Sequence, residues 1–294
     1  MSQIFDALRQ SETERSGASM AAAKELLEVV EQSSVQSTVE PEPRKTSTGP
    51  EKSRQYKTAR VLLSPDAKLV CATDPEGLAA EKFRFLGIRL RHLQQKRSLK
   101  RIVVTSSVAG EGKSTVVENL ACALASNKHK VLLLEGDLRR PSLAEQLGLG
   151  HLPGLSELLE SNGSQPGNIY RLESLGFWIL PAGTAPRNPL EFMQPTKVAA
   201  LLDNLAVGFD WIIIDCPPVL PLADTSIWMR LADAIPLVAR PGTTAKRQLQ
   251  RSLEAIELSK LLGVVLNASK EATANSNYYY YSHAPAQTAS QAAS

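Results

Sequence analysis

The segment Ser106-Ser107-Val108-Ala109-Gly110-Glu111-Gly112-Lys113-Ser114-Thr115 follows the apolar run Ile102 to Thr105 and precedes a helical pattern. That is the context in which a phosphate-binding loop sits. Gly110 and Gly112 let successive backbone N–H groups turn toward one point, and the helix opening near Lys113 aims its positive end there. Lys113 reaches the terminal phosphates of a nucleotide, Ser114 offers its hydroxyl to Mg²⁺, and Thr115 adds a phosphate contact. The strict pattern places its first glycine at position 107, where Ser107 stands. A glycine-rich structural turn is the blander alternative, but strand, loop and helix together point to nucleotide.

A nucleotide-bound Mg²⁺ and its waters need carboxylates at the ends of neighbouring strands. Two candidates are present. One is Asp215, which closes Trp211-Ile212-Ile213-Ile214 and precedes Cys216-Pro217-Pro218. The other is Glu135-Gly136-Asp137-Leu138-Arg139-Arg140-Pro141, following Leu132 to Leu134. One acid after a strand is often a turn former, whereas three coordinated segments in this order point to phosphoryl chemistry. Of six tyrosines, Tyr278, Tyr279, Tyr280 and Tyr281 are adjacent, in a stretch that has no core to build. We read them as phosphate acceptors, against the alternative of a sticky low-complexity run.

These groups need a scaffold. Strands are expected at Ile102 to Thr105, Val131 to Leu134, Phe177 to Leu180, Trp211 to Ile214, Ile235 to Val238 and Val264 to Leu266. Helices are expected at Ser114 to Asn127, Leu190 to Ala206, Ser226 to Leu231 and Ala245 to Leu262. Near-continuous apolar strands between amphipathic helices predict an α/β fold, a mostly parallel sheet with helices on both faces. Before the loop, Asp74 can cap a helix with Pro75 in its first turn, running to about Gln95. Between Glu81 and Arg101 stand eight Lys or Arg and one acid. Such a face suits nucleic acid, anionic lipid, an acidic protein surface or plain solvent.

The chain has 294 residues, 43% of them hydrophobic, enough for one large core with attached segments. Residues 1–32 read as weakly helical, 33–73 as a largely disordered linker, 74–271 as the folded domain and 272–294 as a disordered tail. Apolar runs such as Val131 to Leu134 fall far short of the roughly 20 residues of a membrane span. Met1 to Gln10 lacks the pattern of a secretory signal, so a cytoplasmic protein is expected. Cys71, Cys122 and Cys216 have neither metal-ligand nor redox spacing. A net charge of +3 demands no polyanionic partner, and no nucleic acid is expected to bind.

From Pro75 to Tyr281 the sequence resembles the bacterial tyrosine kinases of exopolysaccharide and capsule assembly, the BY-kinases. Glu135 to Pro141 is similar to the family's second Walker motif, and Asp215 to Val219 with Asp224 resembles its Walker B strand and following loop. Ala185 to Glu191 is similar to the segment that opens a helix in that family, and Asn267 matches a position expected to meet the adenine ring. The resemblance implies a P-loop NTPase fold and an ATP- and Mg²⁺-dependent protein-tyrosine autokinase that regulates polysaccharide polymerisation and export. It places Ala109, Gly110, Glu111, Gly112, Lys113, Ser114 and Thr115 on the nucleotide. Ser114, Asp137 and Asp215 fall on the metal, and Glu135 or Asp137 is the base. It implies acceptors at Tyr278 to Tyr281, self-association through neighbouring tails, and other protein tyrosines as substrates. A transmembrane polysaccharide co-polymerase would recruit the chain to the inner face of the plasma membrane.

This sequence departs from the family pattern at two places. Glu135 replaces the usual Asp, and Gly87 replaces the last Arg of the Glu81-x-x-Arg84-x-x-Arg motif associated with ring assembly. One rival is the positioning ATPase class of plasmid partition and division, which carries an extra lysine where Val108 stands here. Another is a catalytically weak ATP-binding regulator that docks to a membrane partner.

Overall fold

Alternation within the central strands decides the architecture. In Arg101–Ser106, Ile102 and Val104 point to one face and Val103 to the other, and all three are fully buried. Val131 and Leu133 are set against Leu132 and Leu134 in the same way. A strand buried on both sides must lie inside a sheet covered by helices on both faces. The computed structural model, which describes residues 56–64, 67–161, 166–220 and 223–268, has that arrangement. Its strands are β1 (Lys57–Thr58), β2 (Arg101–Ser106), β3 (Val131–Glu135), β4 (Tyr170–Leu172), β5 (Phe177–Leu180), β6 (Trp211–Asp215), β7 (Ile235–Ala239) and β8 (Leu261–Leu266). They form one sheet in the order β1-β4-β5-β3-β6-β2-β7-β8. Only β4 and β5 pair antiparallel.

The helices are α1 (Val70–Thr73), α2 (Leu78–Lys96), α3 (Lys113–Ala125), α4 (Leu143–Gln146), α5 (Leu155–Glu160), α6 (Pro189–Phe192), α7 (Pro195–Gly208), α8 (Ala223–Leu231) and α9 (Lys246–Ala255). Leu90 of α2 and Val116, Leu120 and Leu124 of α3 pack on Ile102, Val104, Leu133 and Ile213. Leu158 of α5, Leu202 and Leu205 of α7 and Trp228 of α8 cover Leu132, Leu134, Ile212 and Ile214. Truncating one of these central leucines to alanine costs ~2–5 kcal/mol. Among the described residues no helix is long and apolar enough to cross a membrane.

The strand order β3-β6-β2 brings three C-terminal strand ends side by side. In register, Asp215 pairs with Val104 on one flank and Glu135 on the other. The phosphate loop, which follows β2, therefore opens beside both acidic positions. Ligands in open α/β sheets bind at this edge, beyond the carboxyl ends of the strands.

Several expectations from the sequence need correction. The first long helix starts at Leu78, with Gly77 as its N-cap, while Asp74 closes α1 by donating its N–H to Val70. The helix expected over Leu190 to Ala206 is two helices. Pro195 cannot donate an N–H and holds Gln194 extended, at ψ 122°. The helix expected to reach Leu262 ends at Ala255, and Leu261 and Leu262 belong to β8. Leucine spacing happened to continue the helical period, but Ile256 is extended and buried at 4% exposure, fixing the chain's exit.

The folded domain also reaches back past Asp74 into the expected linker. Tyr56 packs its ring against Trp178 and Phe209, with centroids at 6.1 and 5.8 Å, and Leu69 is 1% exposed. These few apolar groups are ordered because each lands on a hydrophobic surface that the domain already provides. The weakly helical segment expected at residues 1–32 and the whole tail expected at 272–294, with Tyr278 to Tyr281, lie outside the described residues.

Candidate functional site

Gly112 is the N-cap of α3 at φ 88°, and Gly110 holds φ 84°, a region that strains any L side chain. Space matters as well at the second position, since a Cβ on Gly112 would lie 2.0 Å from Asn267 Nδ2. The loop is braced from outside. Asn267 Nδ2 donates to the Glu111 carbonyl at 3.0 Å, and the Glu111 carboxylate accepts from the Val108 N–H at 3.0 Å and from the Thr244 hydroxyl. Glu111 is fully buried, and its side chain is taken up by these two contacts. Ala109 and Gly110 are exposed at the loop tip, and Lys113 is 9% exposed.

Ser114, in the first turn of α3, donates its hydroxyl to Asp215 Oδ2 at 2.7 Å and lies 3.3 Å from the Ser142 hydroxyl. Asp215 is 3% exposed, and its Oδ1 is buried with no hydrogen-bond partner. Burial pushes the Asp215 carboxyl up to about 7, against the pull of the Ser114 hydrogen bond and the Lys113 charge. Glu118, also on α3, has an unpartnered buried oxygen. Its acid is pushed to about 8 by burial and then by the neighbouring charges of Asp215 and Glu135. Lys113 is the one buried cation among the described residues, set against these acids. An orphaned carboxylate oxygen beside a serine hydroxyl, in an excess of negative charge, fits a hard divalent cation such as Mg²⁺.

The second acidic segment divides its labour. Glu135 is 1% exposed, and its carboxylate is fully engaged by backbone donors. Oε1 accepts from the N–H groups of Ser142 at 2.5 Å and Leu143 at 2.6 Å, and Oε2 from that of Ala182 at 3.0 Å. Burial raises its pKa, and those three hydrogen bonds oppose the rise. Asp137 is half-buried, and its Oδ1 accepts from the N–H groups of Arg139 at 3.2 Å and Arg140 at 3.0 Å.

The geometry thus brings together the phosphate loop, Lys113, Ser114, Glu135 and Asp215, with Asp137 on the loop two residues beyond Glu135. Asn267 reaches the same place through its contact with Glu111. Sequence reasoning missed Ser142, Thr244 and Glu118. Glu118 left a readable signal, a charged residue inside the apolar run Val116-Val117 to Leu120-Ala121. The other two come from distant loops and left none.

Known proteins bear on this site. Residues 98–293 match the ParA family described as NUBPL iron-transfer P-loop NTPase. Cysteines at 71, 122 and 216 form no Cys-x-x-Cys pair. The tyrosine-protein kinase YwqD of Bacillus subtilis is 32% identical over 215 residues, which span 72% of this chain and 90% of that protein. The chain belongs to the bacterial tyrosine kinases. The crystal structure of the chimerical protein CapA2B2 is similar to this family member, with TM-score 0.64 and 30% identity over 71% of the chain and 92% of CapA2B2. More distantly, the septum site-determining protein MinD of Pyrococcus horikoshii, solved with Mg-ADP, is 26% identical with TM-score 0.50, covering 57% of this chain and 70% of MinD. This bacterial tyrosine kinase therefore has the P-loop NTPase fold, in which a neighbour holds nucleotide together with Mg²⁺.

Proposed function

We propose that the chain transfers the γ-phosphoryl group of ATP to protein tyrosine, mainly to Tyr278 to Tyr281 of neighbouring copies. The observation that carries this is the Ser114–Asp215 contact on a phosphate loop, within a domain that spans 90% of a tyrosine-kinase relative. Backbone N–H groups from Ala109 to Thr115 and the Lys113 ammonium hold the triphosphate. Ser114, Asp137 and Asp215 hold Mg²⁺, which when bound draws charge from the β- and γ-phosphates.

Because three backbone donors occupy Glu135, its work is to fix the Ser142-Leu143 turn. Asp137 is then the better base. The tyrosine oxygen bonds to the γ-phosphorus as the bridge to the β-phosphate breaks, the phenolic proton passes to Asp137, and ADP departs. A loose transition state makes placement of these groups matter more than the strength of the base. A cavity of about 480 Å³ lined by Glu135, Pro141, Ser142 and Pro181 is wide enough for an aromatic ring.

Phosphates added to the tails put negative charge on neighbouring copies and release them from one another. In this reading the cycle acts in exopolysaccharide or capsule polymerisation and export. A transmembrane co-polymerase draws the cytoplasmic chain to the inner face of the plasma membrane.

Incubation with Mg·ATP followed by mapping of phosphorylated residues tests this function. Phosphotyrosine at Tyr278 to Tyr281 is expected. ATP hydrolysis that DNA or lipid stimulates, without phosphotyrosine, would replace it with the positioning ATPase.

A further inference from the structure

Helix α8 grips the second acidic loop at two points. Asp224, 1% exposed in its first turn, accepts from the Arg139 guanidinium twice, from Nε at 2.5 Å and from Nη2 at 3.2 Å. One turn later the fully buried Trp228 donates its indole N–H to the Gly136 carbonyl at 3.1 Å. Two further ties complete the frame. The Gly136 N–H donates to the Asp215 carbonyl at 2.8 Å, and Asp137 Oδ1 accepts from the Arg139 N–H. Arg139 is therefore fixed at its main chain by Asp137 and at its side chain by Asp224. Gly136 is fixed between β6 and α8, and a Cβ on it would lie 2.9 Å from the Trp228 ring.

We propose that α8, through Asp224 and Trp228, sets the position of Asp137 relative to Asp215 and thereby the geometry in which the two acids receive Mg²⁺. Both are positioning residues. A buried carboxylate held bidentate by a guanidinium is a strong and directional tie, and losing either partner frees the loop that carries Asp137. Trp228 acts on the same loop through Gly136, next to Asp137 in the chain. The inference rests on the assignment of Asp137 and Asp215 to Mg²⁺, and it is independent of which hydroxyl accepts the phosphoryl group.

Calorimetric ADP affinity, measured in Mg²⁺ and again in EDTA, tests the proposal on the full chain. Asp224→Asn and Arg139→Gln should each keep the EDTA affinity within about twofold of the parent. Each should lose at least tenfold of the gain that Mg²⁺ brings, and the double variant should lose no more than either single one, because Asp224 acts through Arg139. Trp228→Phe keeps the ring and removes the N–H, and should lose part of the same gain. Thermal melts establish that each variant is folded. Should Asp224→Asn fail to fold, Arg139→Gln carries the comparison, since that side chain is 39% exposed.

An unchanged Mg²⁺ gain in the folded variants, an equal loss in EDTA, or additive losses in the double variant would overturn the inference. A parent that binds ADP in neither condition would remove the nucleotide site itself, and the inference with it.

Discussion

Ser114 Oγ meets Asp215 Oδ2 at 2.7 Å across 101 residues of chain, and Asp215 Oδ1 is left buried without a partner. A buried polar atom without a hydrogen bond costs ~1–3 kcal/mol, more for a charged group. In the proposed function a cation would supply the partner that this oxygen lacks.

Lys113→Met is expected to lower phosphoryl transfer at least 100-fold, or ~2.7 kcal/mol in the barrier, while the thermal melt stays close to that of the parent. The ammonium serves phosphate, and a linear apolar side chain of similar length fits its place. Unchanged ATP turnover would rule out the assigned loop.

Glu135→Asp and Glu135→Gln should both destabilise the fold, by ~1–3 kcal/mol. Asp is one methylene too short to reach Ser142, Leu143 and Ala182 together, and Gln turns an N–H donor toward one of these donors. Urea unfolding measures the loss. Parent-like midpoints for both variants, with only activity lowered, would return Glu135 to metal holding or base catalysis.

The central sheet was legible because strands buried on both faces leave unbroken apolar runs, as in Val131 to Leu134 and Trp211 to Ile214. The phosphate loop was legible because its glycines, Lys113 and Ser114 must be contiguous. β1 and β4 were not. Lys57-Thr58 and Tyr170-Arg171-Leu172 are too short for a period, and partner strands make them strands. Glu135 reads in the sequence as a catalytic acid, and the N–H groups at 142, 143 and 182 that converge on its carboxylate are recorded by no local spacing.

Glu118 gives the folded protein a pH slope. Its folded pKa, about 8, exceeds the ordinary 4.5, so the folded state keeps a proton that the unfolded chain releases. The resulting stability is complete below pH 4.5 and is lost as pH rises through about 8. Each such group contributes at most ~1.4 kcal/mol per pH unit in that window. Glu118→Gln should flatten the fall in melting temperature between those pH values, leaving a residual slope of the same sign from Asp215. Identical slopes in parent and variant would show that Glu118 ionises normally.

The Tyr278 to Tyr281 run should be phosphorylated mostly between molecules. Eleven residues lie between Leu266, the last of β8, and Tyr278, a span of at most ~40 Å when extended. That reach serves a neighbour's phosphate site, yet it also allows return to the chain's own, so length alone does not decide. A Lys113→Met copy carrying the tail is mixed with an active copy truncated after Ala274, so that only transfer between chains can label the inactive one. Label is expected on that copy, at a rate that rises with the concentration of the active one. If it stays unlabelled while the parent labels itself normally, transfer runs within the chain.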